Sequence, residues 1–167
     1  MNLMTSPSSK VALLRQIAVA VVWVSAVSVI GQRLTDLGPW YQALKQPPWK
    51  PPDWAFGVIW TSVFVLIVTA AVIAWRRTRQ PFERRTILVL FAMNSALHMI
   101  WSGLFFTLKR PDWAMIELVF LWLSIVAIIA YFWRISRFAS VLLLPYITWV
   151  TIAGFLNYAN VQLNGPF

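Results

Sequence analysis

The sequence reads as an all-α membrane protein: a bundle of five transmembrane helices, with a Pro/Trp-rich loop acting as a lid between helices one and two. Composition is the first reason. Of 167 residues, 60% are hydrophobic and 11% charged, whereas soluble domains are roughly 45–50% apolar and about 25% charged. Length is the second: five apolar runs each reach the roughly 20 residues that a helix needs to cross about 30 Å of hydrocarbon. The third is where the charge sits. The formal net charge of +9 comes from basic residues placed between the apolar runs. That is the topogenic pattern of an integral membrane protein, and it excludes nucleic acid as a partner. There is no cysteine, so disulfide frameworks and thiolate or zinc-finger chemistry are excluded too.

Met1 to Ser9 are polar and carry no charged side chain. The apolar run that follows is longer than a signal h-region and ends in no clear cleavage site, so it reads as a retained span. The five spans cover residues 11–31, 54–76, 86–108, 113–134 and 138–160 of one domain running 1–167. Arg15 lies near the start of the first, where a long side chain snorkels to the interface. Trp and Tyr near several ends fit interfacial belts. Lys10, Arg15, Arg76, Arg77, Arg79, Arg84, Arg85, Arg134 and Arg137 share the side of the N-terminus, while Arg33, Lys45, Lys50, Lys109 and Arg110 lie on the other. The excess of basic residues places the N-terminus in the cytoplasm and the lid on the outer side of what is expected to be a cell inner membrane.

The connection from Trp40 to Trp60 is stiff and aromatic. Prolines at 47, 48, 51 and 52 fix φ, remove backbone donors and bias the residues before them to extended geometry. At a rise of 1.5 Å per residue from the outer helix ends, Trp60 lies about 9 Å deep, Trp101 about 10 Å and His98 about 15 Å. The same count puts Trp149 at about 16 Å and Glu117 at about 6 Å, so all five share the leaflet beneath the lid. On the third helix, Asn94, His98, Trp101 and Phe105 fall within a sector of roughly 60°. Ala92, Ala96 and Gly103 fall on the opposite side, where small residues permit either a homodimer seam or close packing within the chain. On the fifth, Pro145 frees the carbonyl of Val141 and favours a kink. Trp149, Ala153 and Asn160 follow along one side, with Asn157 near them, and the two asparagines are expected to bond to neighbouring helices.

These residues resemble the tryptophan-rich sensory protein/translocator protein (TspO/MBR) family. The resemblance rests on Trp40-Tyr41, Leu44, Pro47-Pro48-Trp49-Lys50-Pro51-Pro52, Phe56-Gly57 and Trp60. It continues through Leu97-His98, Trp101-Ser102-Gly103-Leu104-Phe105-Phe106, Pro145-Tyr146, Trp149, Ala153 and Leu156-Asn157, in family order and spacing. It implies five transmembrane helices, frequently as a homodimer, and a pocket closed by the first loop. It also implies ligands such as protoporphyrin IX or haem, sterols and synthetic benzodiazepine-receptor ligands, with no cofactor required. Pocket positions carried over are Tyr41, Trp60, Asn94, His98, Trp149 and Ala153; Trp49 and Trp101 join them from the matched blocks.

Two departures matter. His98 stands where the family commonly has asparagine, adding a titratable nitrogen that either bonds a neighbouring helix or ligates haem iron axially. After Asn157-Tyr158 no basic residue follows, so the sterol motif of eukaryotic members is missing and sterol transport is not predicted. The expected function is a membrane tetrapyrrole-binding sensor or carrier, its aromatic pocket stacking on flat conjugated rings. Two alternatives remain. One is photo-oxidative porphyrin breakdown, since no hydrolytic, paired-carboxylate or metal-ligand constellation is present. The other is proton-coupled transport through Glu117.

Overall fold

The computed structural model describes residues 7–167; residues 1–6 lie outside the described residues. The described residues form seven α-helices: α1 (Pro7–Leu34), α2 (Pro39–Ala43), α3 (Asp53–Arg77), α4 (Pro81–Ser102), α5 (Pro111–Ile135), α6 (Arg137–Val141) and α7 (Leu144–Asn164). A π-helical turn, Gly103–Thr107, prolongs α4. Among the described residues, five segments are long and apolar enough to cross a membrane: Lys10–Leu34, Asp53–Arg77, Pro81–Thr107, Pro111–Ile135 and Arg137–Asn164. The protein is a five-helix membrane bundle.

Local chemistry explains where the spans begin. Proline stands in the first turn of α4 and of α5, where its missing N–H is no loss. The third span starts five residues before Thr86, at Pro81, because Gln80 and Glu83 form a capping box that draws the charged segment into the helix. The fifth span differs more from expectation. Pro145 does not kink one continuous helix. The chain turns at Leu142 and Leu143, and Pro145 occupies the first turn of a new helix, α7, a position that needs no backbone donor.

The core is built on α5. Leu121, Ile125, Ile128 and Phe132 are buried along it and pack against Val63, Ala70 and Ala74 of α3, Ile87 of α4, and Tyr146 and Val150 of α7. Lipid tails are as apolar as these side chains, so close packing and interhelical hydrogen bonds hold the bundle, not hydrophobic transfer. Ser140 Oγ donates to the Ile129 carbonyl at 2.8 Å, Arg77 to Ser136 Oγ at 2.9 Å, and Trp122 Nε1 to Thr151 Oγ1 at 3.0 Å.

The first helix stands apart from this core. Of residues 10–34, Gly31 alone is buried. Its polar tethers lie toward the lid: Trp23 Nε1 donates to Ser95 Oγ at 3.0 Å, and Thr107 Oγ1 to the Leu34 carbonyl at 3.2 Å.

Candidate functional site

Beneath the lid the sequence places rings on three spans at one level, and the structure brings them together. The Trp60 ring lies edge-on to His98 with centroids 4.8 Å apart, to Tyr146 at 6.3 Å and to Trp149 at 6.5 Å. Phe64 tilts against Trp60 at 5.3 Å and Phe56 meets Trp149 at 5.4 Å. Offset and edge-to-face pairs of this kind add to plain burial. His98 also faces α1: its Nε2 is 4.0 Å from where a Cβ on Gly31 would stand.

Asn94 lies one turn deeper and is fully engaged. Its Nδ2 donates to Ser124 Oγ at 2.8 Å, and its Oδ1 accepts from Tyr146 Oη at 3.1 Å. It thus joins α4, α5 and α7 and fixes the hydroxyl end of Tyr146. Ala153 is half-buried one turn beyond Trp149.

A second aromatic cluster holds the lid. The π-helical turn widens the helix beyond Ser102 and presents two consecutive phenylalanines, Phe105 and Phe106, with centroids 4.7 Å apart. Trp101 stacks on Phe105 at 5.4 Å, Trp40 meets Phe105 at 6.2 Å, and Tyr41 meets Phe106 at 5.6 Å. Tyr41 and Trp101 therefore belong to the seating of the lid, one layer above the Trp60 cluster. Trp49 joins neither cluster; it is 51% exposed. The Lys50 ammonium lies 5.6 Å from the Tyr41 ring centre and pairs with Asp53. Partial burial lowers its pKa, but the Asp53 hydrogen bond and the neighbouring Tyr41 raise it overall.

Asn164 is a part of this region that sequence reasoning missed. Its Oδ1 accepts from the Lys45 backbone N–H at 2.7 Å, and its Nδ2 donates to the Lys45 carbonyl at 3.0 Å. One side chain at the end of α7 thus satisfies both backbone groups of a lid residue 119 positions away. No local pattern announces such a contact. Tyr146 was visible within the Pro145-Tyr146 pair, yet its bond to Asn94 was not.

Several residues of this region carry buried polar atoms without partners. They include His98 Nδ1, Trp101 Nε1, Trp149 Nε1 and both carboxyl oxygens of Glu117. Glu117, counted about 6 Å from the outer end of its helix, is buried. Asn157, with its amide turned to suit its neighbours, donates to the Pro111 carbonyl at 3.0 Å and accepts from the Met115 N–H at 3.1 Å, the interhelical role expected of it. Asn160 instead bonds its own helix, donating to the Leu156 carbonyl at 3.0 Å. On the other face of α4, Ala92 and Ala96 are exposed and Gly103 is half-buried. Among the described residues no group of three or more His, Asp or Glu side chains is placed to hold a metal.

The profile of the TspO/MBR family matches residues 17–163. The chain is 38% identical over 125 residues to the tryptophan-rich protein TspO of Chlorobaculum tepidum, covering 75% of this chain and 79% of that protein. It is 35% identical over 130 residues to protein CrtK of Rhodobacter capsulatus, covering 76% and 79%. To the translocator protein of Bos taurus it is 34% identical over 128 residues, covering 75% of each.

Proposed function

This chain belongs to the TspO/MBR family, and from that premise we propose that it is a membrane sensor or carrier binding a tetrapyrrole of the protoporphyrin IX or haem type beneath the lid. One observation carries the proposal: three ring nitrogens, on His98, Trp101 and Trp149, are buried without partners beside the aromatic cluster. An unpaired buried donor costs about 1–3 kcal/mol. A flat conjugated dianion would stack on the Trp60 ring and meet Trp149, which stands at 88° to it, edge-on, while its carboxylates accept from those donors. Tyr41 and Trp49 belong to the lid over this ligand, Asn94 sets the orientation of Tyr146 at its floor, and Ala153 leaves room beside Trp149. Entry requires the lid to lift, because the rings now touch one another.

Axial ligation of haem iron is more demanding. His98 Nε2 faces the backbone of Gly31, so iron could reach that nitrogen only after α1 moved. Where haem binds without ligation, His98→Ala leaves the Soret band unchanged. For the binding site itself, protoporphyrin IX titrated in darkness should quench tryptophan fluorescence saturably. Trp60→Ala and Trp149→Ala should each weaken that binding about tenfold, the loss of one stacked or edge-on aromatic contact at ~1–1.5 kcal/mol. If both variants bind like wild type, the site is misplaced.

The remaining parts of the reading have separate tests. We propose a cytoplasmic N-terminus on the excess of basic residues at that end, and the inner membrane because an all-helical bundle suits it. Single cysteines replacing Gln80 or Gln46, in a chain that has none, would be labelled from opposite sides. A homodimer through Ala92, Ala96 and Gly103 is disrupted by Ala96→Leu, which removes the close approach. A second reading, proton-coupled transport, draws on the two unpartnered oxygens of Glu117. It requires ligand-driven proton flux in liposomes that Glu117→Gln abolishes.

A further inference from the structure

At the end of the bundle away from the lid, α1 leaves a cavity of about 800 Å³ against α3 and α4. Side-chain size explains it: Ala12 and Ala20 of α1 and Ala71 of α3 line the gap, and three alanines do not fill the space between helices whose neighbours carry larger side chains. Apolar groups make up most of the wall, among them Trp23, Ile67 and Phe91. Val11 and Leu88, also in the lining, are largely exposed on the outside of the bundle, so the cavity opens sideways, where lipid chains are the solvent.

The exceptions to this apolar wall are informative. Arg15, Gln16 and Arg84 are the polar side chains in the lining. Arg84 is held by the Trp75 ring, 5.3 Å from its guanidinium carbon, and by one hydrogen bond to the Thr78 carbonyl at 3.4 Å. Most of its donors remain free. Arg15 has no ion pair or hydrogen bond among the described residues. Gln16 Oε1 is buried without a partner. Around them lies the basic belt of Lys10, Arg76, Arg77, Arg79 and Arg85. An apolar slot opening to the acyl chains, with two arginines in its wall, is complementary to one class of molecule, an anionic amphiphile. Guanidinium groups take a phosphodiester through paired N–H donors, and basic pockets between transmembrane helices bind anionic headgroups.

We propose that the α1–α3–α4 cavity is a binding site for an anionic phospholipid. An acyl chain lies along Ala20, Ala71 and Phe91, the phosphate sits between Arg15 and Arg84, and a headgroup hydroxyl donates to Gln16 Oε1. The site is separate from the aromatic cluster beneath the lid and does not depend on what binds there.

Native mass spectrometry of the full-length protein, with phosphatidylglycerol and phosphatidylcholine added in equal amounts to a neutral detergent, tests it. One phosphatidylglycerol should be retained in preference to phosphatidylcholine. Arg15→Gln with Arg84→Gln should weaken that retention about 30-fold, the conversion of about 1 kcal/mol per basic residue. Ala71→Phe keeps both arginines and fills the slot, and it should also expel the lipid. Protoporphyrin quenching should be unchanged in both variants, which separates this site from the one under the lid. Equal retention of the two lipids overturns the proposal. So does full phosphatidylglycerol binding by the double arginine variant, or by Ala71→Phe, which would put the lipid on the surface. Displacement by inorganic phosphate or by protoporphyrin IX would overturn it as well.

Discussion

The two ends of this bundle solve the same packing problem in opposite ways. Toward the lid, the space between helices is filled by Trp60, His98, Tyr146, Trp149, Phe105 and Phe106, and the loop above is tied to Asn164. Toward the arginine-rich end, alanines face one another and about 800 Å³ stays unfilled. The first helix spans both regimes, joined to α4 through Trp23–Ser95 and beside His98 at Gly31, and standing off below. In a bilayer, apolar composition does not pull helices together. What the comparison teaches is that polar tethers and side-chain volume, not hydrophobicity, decide where this bundle closes.

That contrast can be broken by changing volume at either end. Trp60→Ala should have the largest effect, because the ring touches Phe64, His98, Tyr146 and Trp149. We expect a loss of about 3–5 kcal/mol, seen as a lower thermal transition in detergent. Gly31→Leu adds volume where His98 Nε2 already stands close; overpacking there should cost about 1–3 kcal/mol and move α1, detectable as altered quenching of Trp23. Asn94→Leu removes bonds to Ser124 and Tyr146, with an expected loss of roughly 1–2 kcal/mol by thermal unfolding.

Asn164→Ala should lower stability by only about 1 kcal/mol, yet hydrogen exchange at Lys45 should quicken far more than exchange in α5. Equal quickening in both places would mean that Asn164 supports the whole bundle and not the lid. The smallest change has the opposite sign. Ala71→Leu adds volume to the unfilled end and should raise stability by about 0.5 kcal/mol in lipid-free neutral detergent. If Gly31→Leu and Ala71→Leu shift the transition the same way, the two ends are not packed differently.

Much of the fold was legible because the signals were local. Runs of about 20 apolar residues name the spans, and the Gln80–Glu83 capping box, present in the sequence, explains why α4 begins before the apolar run does. Pro145 misled because a proline inside a span reads as a kink, whereas this chain breaks the span at Leu142–Leu143 and uses the proline to restart it. In the candidate site, helical spacing correctly put Asn94, His98 and Trp101 on the inward side of the third span. It could not foresee the π-helical turn, which sends Phe105 and Phe106 together toward the lid. Glu117 was placed by depth alone, about 6 Å from the outer end of its helix, and depth says nothing about which neighbour a side chain faces. The stand-off of α1 left no trace in the sequence, since a helix with apolar side chains on every face is equally compatible with lipid or protein.

The grip of Asn164 on Lys45 also sets an order of events during biosynthesis. The loop it holds is made early and the residue that holds it comes 119 positions later. Until α7 has been translated and has entered the membrane, the Lys45 backbone lacks this partner, and the loop rests its rings on Phe105 and Phe106. Full fastening is therefore the final act of assembly, and a chain stalled before residue 164 would hold its loop by ring contacts without the two backbone bonds.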